Sequence, residues 1–101
     1  MLGLAYKKNT ADDRQTPAEA IIRQLRSLGA DVVAADPHVD AQRSHSDVKR
    51  VPCDVEQVRT ADLVVVLVDH DDFDLEMVAR EAQSVFDTRH CLPAGPTVEY
   101  L

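Results

Sequence analysis

The chain has 101 residues, a formal net charge of −7 and 45% hydrophobic residues, which is enough for one domain with its own core. Its acidic balance repels phosphate backbones, so we expect no nucleic-acid partner. No stretch reaches the roughly 18 apolar residues that cross a bilayer, and no secretory signal opens the chain, so we expect a cytoplasmic protein with no membrane partner. Cys53 and Cys91 lack metal-ligand spacing, and we predict no metal site.

The opening stretch, LGLAYKKNTADDRQTP at residues 2–17, predicts a strand, a long loop and the start of a helix. Its apolar run ends at Lys7 and Lys8, and helical periodicity begins only after Thr16 and Pro17. Loops between a strand and a helix usually have about two to six residues. A longer loop with this many charges is therefore a candidate ligand site.

A helix is predicted from Thr16 to Gly29. Thr16 and Glu19 have the spacing of a capping box, and Pro17 stands at the first helical position. Apolar residues then recur at helical spacing, and Gly29 is typical of a C-terminal stop.

Strands and helices alternate along the rest of the chain. Apolar runs predict strands at residues 31–36, 63–68 and 83–87, with a brief edge strand at 49–51. The run at 63–68 is the most apolar, so it should be central. Helical character is weak at 39–46, begins again after a cap at Asp54, and follows the acidic loop 69–74; residues 91–101 are predicted to be irregular.

This alternation predicts an α/β fold, a Rossmann-like three-layer sandwich with a mainly parallel sheet of about five strands. Ligands of such sheets bind beyond the carboxyl ends of the strands, which here are Lys7, Asp36, Asp69 and Arg89. Two cations at this edge of an acidic chain indicate an anionic ligand. Because the sequence has no GxGxxG or Walker motif, Lys7 and Arg89 would hold any phosphates with their side chains.

Two other interpretations of the acidic residues stay open. The loop 69–74 could hold a metal with His70, but it lacks EF-hand spacing, and solvated charge or helix capping by Asp71 or Asp72 explains it as well. Asp69, at the end of the central strand, could be the phosphoacceptor of a receiver domain. That fold also needs an acidic pair after its first strand, where this chain has Lys7.

Three segments, in the same order, resemble the C-terminal, UDP-binding domain of the UDP-glucose/GDP-mannose dehydrogenase family. LGLAYKKNTADDRQTP, leading through a helix to ADPHV, is similar to the family's GLAFK...T.D.R.SP motif with its later YDPHV. VVVLVDHDDF is similar to the central strand with its loop, and VFDTR to the FDxR ending. The resemblance spans about residues 2–91.

The resemblance implies an NAD-dependent enzyme that oxidises C6 of a UDP-hexose to the uronate in two hydride transfers. Such enzymes bind NAD in an N-terminal Rossmann domain and use a Cys of a GGxC segment. The 101 residues contain neither, and Cys53 and Cys91 do not match that motif. We therefore expect residues 1–101 to be the UDP-sugar-binding domain of a longer dehydrogenase, inactive by itself. Within the family, the segments VLVDH and DTR resemble those of the branch that acts on UDP-N-acetyl-D-mannosamine, which favours this substrate, with UDP-glucose next.

Carried over residue by residue, the resemblance assigns Tyr6, Lys7 and Arg89 to the UDP-sugar and Arg14 to NAD across the interdomain cleft. It assigns no catalytic residue. The implied partners are the UDP-sugar, the remainder of the dehydrogenase chain and further copies in a homo-oligomer, because a missing domain leaves an apolar face uncovered. A non-enzymatic nucleotide-binding or interaction module of the same fold is the alternative.

Overall fold

The computed structural model of the protein describes residues 1–5, 8–9, 16–40 and 47–101. Within these ranges the helices are α1 (Ala18–Ser27), α2 (Val55–Thr60) and α3 (Leu75–Glu81). The strands are β1 (Val33–Ala34), β2 (Lys49–Arg50), β3 (Val64–Val66), β4 (Val85–Asp87) and β5 (Val98–Tyr100). Within the same ranges no helix has the length and apolar character needed to cross a bilayer.

All strand pairs are parallel, which confirms the predicted α/β class. β1 pairs with β2, and β3, β4 and β5 form a second sheet in that order. Leu2 lies between the two sheets through single parallel bridges to Ala35 and Val66. The prediction of one sheet with about five strands is wrong in this respect, because the opening stretch contributes a one-residue bridge where a full strand was expected.

The opening stretch stops pairing at Leu2 because of the conformation of Gly3 and the hydrogen bonds to Asp36. Gly3 has φ +99°, a conformation that turns the backbone away from strand geometry. Beyond it, the N–H groups of Leu4 and Ala5 donate to the Asp36 carboxylate, at 2.7 and 3.0 Å, instead of to a neighbouring strand. The predicted strand at residues 2–6 is therefore reduced to Leu2, and Tyr6 lies outside the described residues.

Two apolar cores on opposite faces of the strands confirm the three-layer arrangement. One core packs α2 and α3 against the strands and includes Leu2, Ala35, Val58, Val64, Val66, Met77, Val78 and Val85. The other packs α1 against the first strands and includes Leu4, Ala18, Ile22, Ala34, Val39 and Val48. Neighbouring Ala34 and Ala35 belong to different cores because successive strand residues point to opposite faces.

The prediction for the C-terminal end of α1 is confirmed, and the prediction for its N-terminal end is wrong. Gly29, at φ +92°, ends the helix as predicted: its N–H donates to the Arg26 carbonyl and the next N–H donates to the Leu25 carbonyl, the Schellman pattern. The predicted capping box is wrong. Thr16 Oγ1 accepts from the Ala18 N–H at 3.3 Å and donates to the Ala5 carbonyl at 3.4 Å, so it ties the helix start to the opening stretch.

The shorter helices begin at aspartates. Asp54 caps α2 through the Gln57 N–H at 2.9 Å, as predicted. α3 is capped by Asp74, which accepts from the Met77 N–H at 3.1 Å. The prediction of a cap at Asp71 or Asp72 is wrong, because these side chains lie before the helix and bind other groups.

The C-terminal tail contains a strand that the sequence pattern did not reveal. Val98–Tyr100 forms β5 in register with Val85–Asp87 of β4, and Val85 N–H donates to the Thr97 carbonyl at 2.8 Å. Three residues are too few for a periodic signal, so the pairing with β4 decides the conformation. The predicted edge strand at Lys49–Arg50 is confirmed, whereas residues 41–46 of the weak helical segment lie outside the described residues.

Gly3→Ala should destabilise the fold strongly. A Cβ at this position would lie 2.5 Å from Val68 Cβ and 2.8 Å from Val68 N, and the φ of +99° disfavours any side chain. Strain and overpacking together predict a loss of about 2–4 kcal/mol of unfolding free energy, measured by urea denaturation. Gly29→Ala is the matched control: it has φ +92° but open space around the new Cβ, so we expect a loss of about 1 kcal/mol. Equal losses would contradict the packing explanation.

Candidate functional site

Arg89 lies at the carboxyl edge of the sheet, just after β4. Its N–H donates to the buried Asp87 carboxylate at 2.9 Å, and its Nε donates to the Leu67 carbonyl, after β3, at 2.8 Å. The side chain is exposed, and the two Nη nitrogens have no hydrogen-bond partner among the described residues. The arrangement holds Nε of the guanidinium between two strand ends. The two Nη nitrogens are the donors that can bind an anion.

Asp87 is the group that shapes this turn. Its side chain is fully buried; Oδ1 accepts from Arg89, and Oδ2 accepts from the Leu92 N–H at 2.9 Å. Burial by itself raises the pKa of Asp87, but the hydrogen bonds from Leu92, Arg89 and Cys91 outweigh it and hold the pKa below its usual range. The carboxylate is therefore ionised at neutral pH and supports the Arg89 backbone.

Asp36, just beyond the end of β1, is a second buried carboxylate at this edge. Its Oδ2 accepts from Leu4, Ala5 and the His70 ring, and its Oδ1 accepts from the His38 and Val39 N–H groups at 2.8 and 3.1 Å. Burial raises the pKa of Asp36, yet these donors hold it below its usual range. The predicted ligand-edge carboxylate is thus an internal acceptor.

His70 is completely buried beside Asp36, with Nε2 2.9 Å from Asp36 Oδ2. Its Nδ1 accepts from the backbone N–H of Asn9 at 2.8 Å. Because a backbone N–H can only donate, Nδ1 carries no proton and the ring is the neutral Nε2–H tautomer. The ring packs between His38, at a centroid distance of 4.5 Å, and Phe73, at 5.5 Å.

The acids of the loop 69–74 are engaged with separate partners. Asp71 lies 3.0 Å from Lys8 Nζ and exchanges two hydrogen bonds with Asn9. Asp72 binds His38 Nε2 at 2.6 Å, while Asp74 caps α3. In the part of the chain that the structure describes, no three His, Cys, Asp or Glu side chains are grouped as metal ligands.

A cavity of about 390 Å³ lies at the same edge, between the ends of β1 and β2 and the loop after β3. It is lined by Ala35, Asp36, Pro37, Arg50, Val51, Pro52, Cys53, Asp72 and Phe73. Nη2 of Arg50 donates to the Asp36 and Val39 carbonyls, while Nε and Nη1 are buried and have no hydrogen-bond partner within the described ranges. Arg50 therefore joins the end of β2 to the loop after β1 on the rim of the cavity.

Neither cysteine has the properties of a nucleophile. Burial, with the nearby Asp87 carboxylate, raises the pKa of Cys91 to about 11. Burial also raises the pKa of Cys53. Since the thiolate is the reactive form, both side chains remain protonated and unreactive at neutral pH.

Comparison with known families identifies the kind of domain. Residues 1–94 match the UDP-binding domain of the UDP-glucose/GDP-mannose dehydrogenase family. The chain belongs to this family. Its members include dehydrogenases, and the chain corresponds to their C-terminal domain.

The relatives of the chain are named for more than one substrate. A UDP-N-acetyl-D-mannosamine dehydrogenase of Methanococcus maripaludis is 32% identical over 91% of the chain and 22% of its own length. A UDP-glucose 6-dehydrogenase of Haloferax volcanii is 30% identical over 99% of the chain and 24% of its own. The solved UDP-N-acetyl-mannosamine dehydrogenase from S. aureus superposes with TM-score 0.69 and 28% identity over 98% of the chain and 24% of its own. The chain thus spans about a quarter of these relatives.

The structure places one of the four predicted site residues of this dehydrogenase domain. Arg89 lies at the expected edge, whereas Tyr6, Lys7 and Arg14 lie outside the described residues. Sequence reasoning missed the internal roles of Asp36, His70 and Asp87. The signal in the sequence was an acid at or just after the end of the apolar runs 31–36, 63–68 and 83–87. A carboxylate that is buried at such a position needs several nearby donors.

Asp87→Asn should reduce stability and weaken its dependence on pH. A carboxylate with a lowered pKa stabilises the folded state above the unfolded pKa of about 3.9, and this contribution is lost as the pH falls through the folded pKa. We expect a loss of about 2–3 kcal/mol at pH near 7 and a smaller one near pH 3. Urea denaturation at both pH values measures this.

Asp62→Asn is the control, because Asp62 is exposed. It should change the free energy of unfolding by less than about 0.5 kcal/mol. An equal effect of both changes would refute the role of Asp87.

Proposed function

We propose that this chain is the UDP-sugar-binding domain of an NAD-dependent UDP-sugar 6-dehydrogenase, with Tyr6, Lys7 and Arg89 contacting the UDP-sugar. The observation that carries the proposal is the Arg89 guanidinium, exposed and braced between the ends of β3 and β4. This is the edge at which parallel α/β sheets bind ligands. Membership of a family with a UDP-binding domain gives the anion its chemical class.

The two cations have complementary chemistry for a diphosphate. Lys7 supplies a compact point charge, and Arg89 supplies a planar fork that can bind two phosphate oxygens. Each charge-assisted contact is worth about 1.5–3 kcal/mol. The net charge of −7 makes local cations the main attraction for a dianionic ligand.

NAD belongs to the rest of the enzyme in this proposal. The glycine of the opening stretch, Gly3, is packed against Val68, and the sequence has no GxGxxG motif to cradle a pyrophosphate at that turn. The proposal therefore assigns dinucleotide binding mainly to another domain. Arg14 is the residue assigned toward NAD across the domain boundary, and hydride transfer from C6 requires segments beyond these 101 residues.

The substrate is proposed to be UDP-N-acetyl-D-mannosamine, with UDP-glucose next. The VLVDH and DTR segments support this order. Relatives named for either substrate match the chain. A comparison of the two sugars with the full-length enzyme decides the order.

UDP binding should depend on Lys7 and Arg89. Lys7→Ala and Arg89→Ala should each weaken UDP binding about tenfold or more in isothermal titration calorimetry, because each removes a charge-assisted contact. Arg80→Ala is the matched control, since Arg80 is an exposed cation in the last turn of α3, which runs back toward the opposite edge of the sheet.

Two outcomes of this experiment contradict the proposal. Absence of binding at millimolar UDP leaves a non-enzymatic interaction module as the function, and equal losses in Arg80→Ala assign the binding to general charge. The same chain with NAD and a UDP-sugar should produce no absorbance of NADH. A signal there would contradict the assignment of the chemistry to other segments.

We also propose that the domain associates with copies of itself or with the rest of the enzyme. Leu28 and Leu63 are exposed over 84% and 46% of their surface. Light scattering should give a mass above that of one chain, and Leu63→Ser should lower it. A single-chain mass would contradict self-association.

A further inference from the structure

A groove of about 610 Å³ lies at the amino edge of the sheets, opposite the edge that carries Arg89. Residues 31–33, around the start of β1, line one side, and Leu63 and Val65, around the start of β3, line the other. Met1 and residues at the ends of α1 and α2 complete the lining. This amino-edge groove lies outside the site proposed for the UDP-sugar.

Backbone groups of both strands face the amino-edge groove. The Val65 carbonyl accepts from the Leu2 N–H at 2.8 Å, and the Val33 carbonyl accepts from the Met1 amine at 3.0 Å. The N–H and the C=O of one strand residue point to the same side of the strand. The N–H groups of Val33 and Val65 therefore also point into the gap between β1 and β3. No residue of the described ranges accepts from either N–H across this gap.

The gap between β1 and β3 has the width of one strand. Leu2 makes parallel bridges to Ala35 on one side and to Val66 on the other, so a single extended residue spans the two sheets there. A segment in the groove that runs in line with Leu2 would pair with both strands over about three residues. It would join the two sheets into one, because unpaired strand edges are templates for strand addition.

The side chains of the groove define what such a segment carries. Leu25, Val32 and Leu63 give it apolar walls, and Leu63 is exposed over 46% of its surface. Asp31 and Asp62 also line the groove, and both are exposed. An extended segment with apolar residues and a cationic side chain complements these walls.

A second copy of the chain does not supply this segment from its described strands. Each of the strands β1–β5 already has one edge paired within its own sheet. Insertion between β1 and β3 needs a segment with both edges free, so a copy would have to give up its own pairing. The curated relatives offer a different source, because the chain spans only about a quarter of their length.

We propose that the amino-edge groove is an insertion site for an extended, apolar segment with a cationic side chain, supplied by the remainder of the enzyme. The inference rests on the proposed function for the source of the segment, and it specifies the contact between this domain and that remainder. The inserted segment accepts from the N–H groups of Val33 and Val65 and makes β1 to β5 one parallel sheet.

Hydrogen exchange of single amides, measured by NMR, tests whether the groove is open. In the 101-residue chain, the Val33 and Val65 amides should exchange at least about tenfold faster than the Val64 amide, which donates to the Ser84 carbonyl at 2.9 Å. Equal protection of the three amides overturns the inference, because the groups that face the groove would already have partners. Protection that rises with the concentration of the chain assigns the groove to a second copy and also overturns it.

A short extension before Met1 tests whether the groove accepts a strand. An added Lys-Val-Lys-Val segment enters the groove in line with Leu2, and it should slow exchange of the Val33 and Val65 amides about tenfold. A Pro-Gly-Pro-Gly segment of the same length is the matched control, since proline lacks the N–H and glycine offers no side chain to the walls. Equal exchange with both extensions overturns the inference.

The charge of the segment is tested in the same way. A Glu-Val-Glu-Val extension should slow exchange about threefold less than Lys-Val-Lys-Val at low salt, because Asp31 and Asp62 repel it. Equal protection overturns the requirement for a cation.

The full-length enzyme tests the source of the segment. In hydrogen-exchange mass spectrometry, residues 31–33 and 63–65 should exchange at least about tenfold more slowly in that enzyme than in the 101-residue chain. Equal exchange overturns the assignment to the remainder of the enzyme.

Calorimetry with UDP on the same samples separates this inference from the proposed function. If UDP binds but Lys-Val-Lys-Val leaves the exchange of Val33 and Val65 unchanged, the insertion site alone is overturned. If the extension slows exchange but millimolar UDP does not bind, the insertion site stands and the UDP-sugar function is overturned.

Discussion

The buried carboxylate of Asp36 is the interaction on which the carboxyl edge of the sheet depends. An unpaired buried charge costs several kcal/mol, so the fold must bring enough donors to it. The donors come from the opening stretch, from the loop after β1 and from His70 after β3. Satisfying this one group therefore determines where the first stretch stops pairing and how three loops meet.

Asp87, the last residue of β4, is satisfied in the same way but with a different result. Its carboxylate accepts from Arg89 and Leu92 and shapes a turn that presents an exposed guanidinium. The two buried acids and the exposed cation lie at one edge. In a chain with excess negative charge, Asp36 and Asp87 are directed inward and satisfy backbone donors, whereas Arg89 is exposed.

Much of the fold could be predicted because it depends on local patterns. The helix ending at Gly29, the cap at Asp54 and the strand around Val64–Val66 follow from rules about neighbouring residues. The predictions failed where groups that are distant in the sequence compete for the same atoms. Thr16 binds Ala5 as well as its own helix, and β5 exists because β4 offers it an edge.

The sequence by itself determined the α/β class, through its periodicity, and the family, through its motifs. The resemblance to that family implied the candidate residues Tyr6, Lys7, Arg14 and Arg89, which stay predictions. Only the tertiary structure decided that Asp36 and Asp87 are internal acceptors and that His70 lies between Asp36 and the Asn9 backbone. Each of these roles is defined by donors far away in the chain, such as the backbone N–H of Asn9 that meets the ring of His70. No local pattern encodes such a meeting, since it arises when the loops after separate parallel strands converge at one edge.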